Sequence, residues 1–369
     1  MTHSGISEQI LAQGVQALEA IAARRMGLDD WLDRRADSRL RRSLSSLLFT
    51  FFRKKRAIDT ALAQCWRQLP RPEVVYLLEL GLTLGCFQDA VRPESAVNIA
   101  VDTAKRRFGP GAGKFVNAVL RRALTEVKTD ALPEALLPEA PAIRWRNQFG
   151  ATECGRLAAL FQERVPAVVR WRRGFVPEAL PEVEPLALPW ASDWLFGSCA
   201  HPEKILATEL FARGAFYFQD PAPSAAVMLL TQAAWPETVR AIDLCAAPGG
   251  KLLLASEFLA ARGVAVEEFV AVDRSAARQR LTAENLARCR VPATVIAADA
   301  AEYRPADERG FDLVLADVPC SNTGVFRRRP DALWRWSDTA LEALVGVQRA
   351  ILNNAARLCN PGGVLLYST

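Results

Sequence analysis

Short apolar segments alternate with helical segments throughout residues 236–369, and this alternation limits the possible folds more than any other feature of the sequence. The apolar segments are Val239–Leu244, Phe269–Val272, Thr294–Ala297, Phe311–Ala316 and Val364–Tyr367. Helices are expected between them at residues 251–261, 275–288 and 338–358. Such repeats form a parallel sheet with helices on both faces. We therefore expect a Rossmann-like α/β domain whose ligands bind beyond the carboxyl ends of the strands.

The first third of the chain has a different pattern, in which apolar residues recur at helical spacing. One such set is Leu44, Leu47, Leu48, Phe51 and Phe52. Residues 5–128 contain no long alternating strand pattern, which predicts an all-α bundle. Prolines within residues 129–141 indicate a linker after the bundle. We expect three segments: a helical domain at residues 1–130, a small connecting subdomain at 131–215 and the α/β domain at 216–369.

Composition narrows the range of partners. The formal net charge of the 369 residues is +5, and arginines and lysines occur in runs, a pattern typical of a polyanion-binding surface or of a solvated face. Eight cysteines without C-x-x-C spacing and only two histidines predict no metal site and reduced thiols, as in cytoplasmic proteins. The sequence shows no signal peptide and no run of 18 apolar residues, so no membrane partner is expected. The expected oligomeric state is a monomer.

A glycine-containing turn follows the first predicted strand, within Asp243-Leu-Cys-Ala-Ala-Pro-Gly-Gly-Lys251. Its glycines allow a ligand to approach the backbone, and the helix behind them offers free N–H groups. Asp273 ends the second strand, 23 residues after Gly250, where a carboxylate can accept hydrogen bonds from both ribose hydroxyls. Asp299 ends the third strand and could reach the ribose or the adenine. A tight turn or a helix N-cap explains each feature alone, but their coincidence at three strand ends favours a nucleoside-containing ligand.

A carboxylate and a thiol follow the fourth strand, in Asp317-Val-Pro-Cys320-Ser-Asn-Thr-Gly324. Cytosine C5 is a poor nucleophile, but addition of a thiolate to C6 turns C5 into an enamine carbon that can attack a methyl sulfonium. An acid can protonate N3 as the thiol adds. The pair therefore suits pyrimidine methylation, and the structural alternative is a small buried cysteine beside a capping aspartate.

These motifs resemble the Sun/Fmu family of RNA 5-methylcytosine methyltransferases. The resemblance rests on Asp243–Lys251, on Asp317–Gly324 and on Arg327-Arg-Arg-Pro-Asp331. Gln219-Asp220 followed by Ser224 resembles an element that precedes the nucleotide fold in that family. The segment Lys114-Phe-Val-Asn-Ala-Val-Leu-Arg-Arg122 resembles the NusB-like RNA-binding domain at the N-terminus of the same enzymes. The resemblance covers most of the chain and is weak between residues 130 and 210.

The resemblance implies a cofactor, S-adenosylmethionine (AdoMet), and a set of residues that contact it. Those residues are Cys245, Ala246, Ala247, Pro248, Gly249, Gly250, Lys251, Asp273, Asp299 and Asp317. Asp317 would also touch the target base, and Cys320 would be a helper that assists release of the methylated product. RNA, expected to be ribosomal RNA, would be held through its phosphates by the NusB-like domain and by Arg327, Arg328 and Arg329.

The resemblance assigns the attacking thiol to a different cysteine, in a Ser-Thr-Cys element at the end of the fifth strand. Here the sequence reads Leu366-Tyr-Ser-Thr369 and stops, without that cysteine and without the last two strands of the family's seven-stranded sheet. We therefore expect a fragment or a truncated product whose 369 residues alone are inactive. In addition, Val318 replaces an alanine, and Val169-Arg-Trp-Arg172 replaces the Leu-Arg-x-Asn motif.

Two other functions remain open. The chain could bind RNA and AdoMet without turnover, as a remnant or an assembly factor, and the absent cysteine is the support for this alternative. It could instead methylate amines of proteins or small molecules. Enzymes of that kind typically have an Asn-Pro-Pro-Tyr loop after the fourth strand, and Asp317-Val-Pro-Cys320 argues against this alternative.

Overall fold

The computed structural model describes residues 3–23, 26–35, 37, 39–128, 132–175, 180–189 and 196–369. The chain forms two compact units, Met1–Val165 with Ser321–Asp338, and Pro166–Cys320 with Thr339–Thr369. The grouping differs in two places from the three segments expected above. Residues up to 165 group with the helical domain, and so does the later segment Ser321–Asp338.

The first unit is a bundle of helices, which confirms the predicted all-α region. Its first six helices are α1 (His3–Ala22), α2 (Leu28–Arg35), α3 (Arg41–Ala63), α4 (Pro72–Phe87), α5 (Pro93–Phe108) and α6 (Pro110–Glu126). Proline occupies the first helical position of α4, α5 and α6, where its missing N–H costs no hydrogen bond. The core contains Leu44, Leu48, Leu77, Ala100 and Val116, all fully buried. The helical spacing in the sequence therefore marked the buried faces.

The same unit contains α7 (Glu139–Gln162), which is kinked at Gly150 (φ 82°), and α13 (Asp331–Arg335) from much later in the chain. Phe326 explains why the later segment belongs here. Its ring packs on Trp145 and Phe161 of α7, with ring centroids 5.2 and 6.0 Å away. Leu137 and Leu333 belong to the same small apolar cluster.

The second unit begins with a small antiparallel sheet of order β2-β3-β1-β4. Its strands are β1 (Ala167–Trp171), β2 (Val183–Leu186), β3 (Phe196–Cys199) and β4 (Phe216–Phe218). Two short helices, α8 (Pro202–Leu206) and α9 (Glu209–Ala212), lie between β3 and β4 in the chain, and α10 (Pro221–Met228) follows β4.

The main sheet of this unit is parallel, with strand order β7-β6-β5-β8-β9, which confirms the predicted α/β domain. Its strands are β5 (Thr238–Asp243), β6 (Ala265–Asp273), β7 (Thr294–Ala297), β8 (Phe311–Asp317) and β9 (Cys359–Ser368). The helices between them are α11 (Gly250–Ala261), α12 (Ala276–Arg288) and α14 (Asp338–Leu358). The chain runs outward from β5 to β7 and then returns to β8 on the other side of β5. Ligands of such sheets bind at this switch point.

Three further properties of the molecule bear on the sequence predictions. Across the part of the chain that the structure describes, no helix is both long and apolar enough to cross a membrane. Within the same residues, no group of three or more His, Cys, Asp or Glu side chains is placed to hold a metal ion. All eight cysteines are in the thiol form.

Candidate functional site

Three aspartates meet at the carboxyl edge of the parallel sheet. Asp243, Asp273 and Asp317 are the last residues of β5, β6 and β8. Strand β5 pairs with β6 on one side and with β8 on the other, so the three carboxylates lie at neighbouring strand ends around the switch point. An edge of this composition is rich in hydrogen-bond acceptors and suits a ligand that carries hydroxyl groups or positive charge.

The turn after β5 is tied to the end of β6. The amide of Ala246 donates to the carbonyl oxygen of Val272 at 2.9 Å, and the amide of Ala247 donates to Oδ2 of Asp273 at 3.3 Å. Gly249 has φ 103°, in the left-handed region that favours glycine, and directs the chain into α11. The structure thus brings the glycine turn and Asp273 together, as the sequence predicts.

Asp273 is buried and already accepts several hydrogen bonds. Its Oδ1 accepts from the amide of Ser275 at 2.9 Å, and its Oδ2 lies 3.4 Å from Nη1 of Arg278. A carboxylate has about four acceptor positions, so these bonds leave capacity for a ligand hydroxyl. Asp299 differs from Asp273 because it lies two residues beyond the end of β7, is exposed, and accepts from the amide of Ala301 at 2.9 Å.

Asp243 is the functional candidate that the sequence analysis did not select. Burial, with a smaller contribution from the neighbouring Asp317 and Asp273, raises the pKa of its carboxyl group to about 7, against the amide of Cys245 and Lys251, which lower it. Its position at the end of the central strand was visible in the sequence, but its complete burial was not. A positive ligand at this edge would favour the ionised form of Asp243.

Lys251 and Asp317 form an ion pair across the switch point. The second carboxylate oxygen of Asp317, Oδ1, accepts from the hydroxyl of Ser368 at 2.8 Å. The amide of Val318 donates to the carbonyl oxygen of Ser368 at 3.0 Å, which fixes the chain direction after β8. Asp317 is therefore held from both sides in a single orientation, with 38% of its side chain exposed to incoming molecules.

The loop that carries Cys320 is fastened to α14. Nε2 of Gln348 donates to the carbonyl oxygen of Pro319 at 2.9 Å and to the hydroxyl of Thr369 at 3.1 Å. Cys320 is half-buried, three residues beyond the end of β8. The thiol of Cys245 lies near the same edge, and burial raises its pKa to about 12, with Asp243 adding to the rise. Cys245 is consequently a neutral thiol at physiological pH and a poor nucleophile.

The predicted phosphate-binding arginines lie in the helical unit, and two of them have carboxylate partners. Nη2 of Arg327 lies 2.6 Å from Oε2 of Glu163, and Nε of Arg329 lies 3.0 Å from Oδ2 of Asp29. Both arginine side chains keep between a third and a half of their surface exposed. Exposed ion pairs of this kind are weak and can exchange one anion for another.

A buried polar network behind the glycine turn was not expected from the sequence. Arg170 on β1 is fully buried and binds Glu257 of α11 through two bonds, of 2.6 and 3.2 Å. Its Nε and Nη2 also donate to the hydroxyl of Tyr217 on β4, at 3.0 and 2.8 Å. That hydroxyl lies 2.7 Å from the carbonyl oxygen of Gly250. The small antiparallel sheet thereby reaches the first residue of the helix behind the turn.

The N-terminal and C-terminal parts of the chain each match a known protein family. Residues 230–369 match the family model described as 16S rRNA methyltransferase RsmB/F, and residues 9–125 match the NusB family. Ribosomal RNA small subunit methyltransferase B of Xylella fastidiosa strain 9a5c is 32% identical over 90% of this chain and 79% of its own length. The protein of the same name from strain Temecula1 is 31% identical over 99% of this chain and 85% of its own length.

Solved structures share the fold. The crystal structure of PH0851 covers 100% of this chain and 85% of its own, with a TM-score of 0.74 and 21% identity. The crystal structure of NSun6 from Pyrococcus horikoshii with SFG covers 62% of this chain and 82% of its own, with a TM-score of 0.51 and 19% identity.

Proposed function

The chain belongs to the 16S rRNA methyltransferase RsmB/F family, and we propose that it transfers a methyl group from AdoMet to C5 of a cytosine in ribosomal RNA. The observation that carries the proposal is the carboxyl edge of the sheet. There a glycine turn, three aspartates and the Pro319-Cys320 loop surround one switch point.

The residues of this edge fit the positively charged groups of AdoMet. The ligand carries a sulfonium and an amino group, and the edge carries Asp243, Asp273 and Asp317. The raised pKa of Asp243 reflects burial together with the other two carboxylates, and a bound cation would relieve that repulsion. In the proposal, Asp273 would accept hydrogen bonds from the ribose, and the backbone from Cys245 to Lys251 would hold the methionine part. Asp299, which is exposed beyond β7, would contact the ribose or the adenine. When bound, AdoMet supplies the electrophilic methyl group.

Asp317 and Cys320 act on the cytosine in this proposal. Asp317 is oriented by Lys251 and Ser368, and its carboxyl group passes a proton to N3 of the ring as a thiol adds to C6, so that no free ring anion forms. After the methyl group has joined C5, the C5 proton and the thiol leave, which restores the ring. Cys320 lies on the loop that follows and is assigned the helper role in releasing the methylated product. The base reaches these groups only when it is unpaired or flipped out of its helix. The RNA backbone is held by the NusB-like helices and by Arg327, Arg328 and Arg329.

A methyl-transfer assay tests the proposal. The protein, expressed with whatever its reading frame encodes beyond Thr369, is incubated with methyl-labelled AdoMet and unmodified small-subunit ribosomal RNA, and the RNA is digested to nucleosides. We expect the label in 5-methylcytidine. We also expect Asp317→Asn to lower turnover by about 10²-fold or more, the range of a general acid–base group. Label in any other nucleoside, or full activity of Asp317→Asn, would refute the proposed chemistry.

A further inference from the structure

Three arginines from distant parts of the sequence converge within the helical unit. Arg53 lies on α3, Arg164 follows the end of α7, and Arg327 belongs to the segment that packs on α7. Nη2 of Arg53 donates to the carbonyl oxygen of Arg327 at 2.6 Å, and Nη2 of Arg164 donates to the hydroxyl of Thr50 at 3.4 Å. Thr50 and Arg53 are three positions apart on α3 and therefore share a face of that helix.

The charge of Arg53 is buried without a counter-charge. The residue is 7% exposed, and its guanidinium donates to two main-chain carbonyl oxygens, those of Phe49 at 3.3 Å and Arg327 at 2.6 Å. Among the residues described, no carboxylate lies within ion-pair distance of Arg53, and its Nε has no hydrogen-bond partner. A buried cation in such surroundings is costly unless an anion accompanies it. Burial lowers the pKa of Arg53 to about 10, and repulsion from Arg164 and Arg327 contributes.

The other two guanidiniums leave donors for that anion. Arg164 is exposed, and within the described part of the chain its one hydrogen bond is the long one to Thr50. Nη2 of Arg327 donates to Glu163, while the Nε of Arg327 is buried and has no hydrogen-bond partner among the described residues. The group thus carries three positive charges against one adjacent carboxylate, that of Glu163.

We propose that Arg53, Arg164 and Arg327 form a binding site for one phosphate group, and that its source is a phosphodiester of the RNA substrate. Arginine suits this role because its planar fork of N–H groups matches the oxygens of a phosphate. The source rests on the proposed function, whereas the binding of an oxyanion rests on the cluster itself. The proposal adds Arg53 and Arg164 to the residues that contact RNA, and it assigns Arg327 to the same phosphate.

The test is the salt dependence of RNA binding, measured by fluorescence anisotropy with a labelled fragment of unmodified small-subunit ribosomal RNA. We expect Arg164→Ala and Arg327→Ala each to weaken binding about fivefold and to reduce the slope of log affinity against log salt by about 0.7 to 0.9, the value for one phosphate contact. Because the two arginines share one phosphate, the double variant should lose no more slope than either single variant. Arg327→Ala keeps the bond from Arg53, since that bond ends on the main chain.

The matched control is Arg156→Ala. Arg156 is an exposed arginine of α7 that pairs with Glu153, so its removal changes the net charge equally without touching the cluster. The affinity of this variant should change less than twofold, with the slope unchanged. Equal effects of Arg156→Ala and Arg164→Ala would show that only net charge matters and would overturn the site. Slope losses that add up in the double variant would also overturn it, because they would indicate two separate contacts.

A second arm separates the source of the phosphate. Inorganic phosphate, compared with chloride at equal ionic strength, should raise the melting temperature of the parent protein more than that of Arg164→Ala. If inorganic phosphate raises the melting temperature in this way but the variants bind RNA with the salt slope of the parent, the RNA assignment is overturned and the cluster is a site for a free anion. Absence of methyl transfer together with the expected slopes would instead contradict the proposed function and leave the phosphate site standing.

Discussion

The hydroxyl of Tyr217 lies 2.7 Å from the carbonyl oxygen of Gly250, the first residue of the helix behind the glycine turn. A Cβ atom at position 250 would lie 3.4 Å from the ring of Tyr217, so the two residues pack closely as well. The buried Arg170 fixes the Tyr217 hydroxyl with two hydrogen bonds. The small antiparallel sheet therefore supports the turn that is proposed to hold AdoMet.

Removal of that hydroxyl should loosen the turn while leaving the core intact. We expect Tyr217→Phe to weaken AdoMet binding about threefold to tenfold, which corresponds to one hydrogen bond of about 0.5–1.5 kcal/mol. Isothermal titration calorimetry measures the affinity. Tyr76→Phe, in the helical unit, is the matched control and should bind AdoMet as the parent does. Equal affinities of Tyr217→Phe and the parent would show that the hydroxyl does not support the turn.

The ion pair between Arg170 and Glu257 predicts a large effect on stability. Arg170→Met leaves Glu257 buried, with Arg172 as its remaining cationic partner at 2.7 Å. We expect a loss of about 3–5 kcal/mol in the free energy of unfolding, because one member of a buried pair remains without its main partner. Urea unfolding measures this loss. The double variant Arg170→Met with Glu257→Leu should recover part of it, and a double variant less stable than Arg170→Met would contradict the explanation.

Asp243 predicts a specific pH dependence. The pKa of its carboxyl group is raised from its ordinary value of 3.8 to about 7, first by burial, so the folded state retains a proton that the unfolded state releases. Stability from this group is present below pH about 4 and is lost as the pH rises to about 7. We expect Asp243→Asn to become more stable relative to the parent between pH 5 and pH 8 in urea unfolding. A difference that stays constant with pH would exclude this assignment.

Asp273 should contribute to cofactor affinity rather than to stability alone. Asp273→Asn keeps one acceptor oxygen for the amide of Ser275, but it removes the charge and one acceptor. We expect AdoMet affinity to fall by about 1–3 kcal/mol, the scale of hydrogen bonds to charged groups. Calorimetry is the measurement, and the exposed Asp307, which pairs with Arg309, provides the control variant Asp307→Asn. Equal losses in the two variants would remove the ribose role of Asp273.

Periodicity in the sequence predicted the main elements because their buried faces are continuous. Strand β7 and helix α14 were predicted with their observed bounds. Strands β6 and β9 begin earlier than predicted, at Ala265 and Cys359. Glu267 and Glu268 interrupt the apolar run of β6, and the turn-forming residues Asn360-Pro-Gly-Gly363 precede the apolar run of β9. The small antiparallel sheet was missed, since its strands have only three to five residues and show little alternation.

The sequence predicted those site residues that directly follow a recognisable strand. The positions of Asp273 and Asp317 were visible because each follows an apolar run. The burial of Asp243 depends on packing from neighbouring strands, and the contact of Arg170 with Glu257 joins residues 87 positions apart, so local sequence carried no signal of either. The same holds for Arg53 and Arg327, which are 274 positions apart.

The central claim is methylation at cytosine C5, and release of the C5 hydrogen tests it most directly. Ribosomal RNA is prepared with tritium at C5 of its cytosines and incubated with AdoMet and the protein, expressed with whatever its reading frame encodes beyond Thr369. Because the C5 hydrogen must leave when a methyl group takes its place, we predict one tritium released to water for every methyl group transferred. Methyl transfer to the RNA without tritium release would contradict the account.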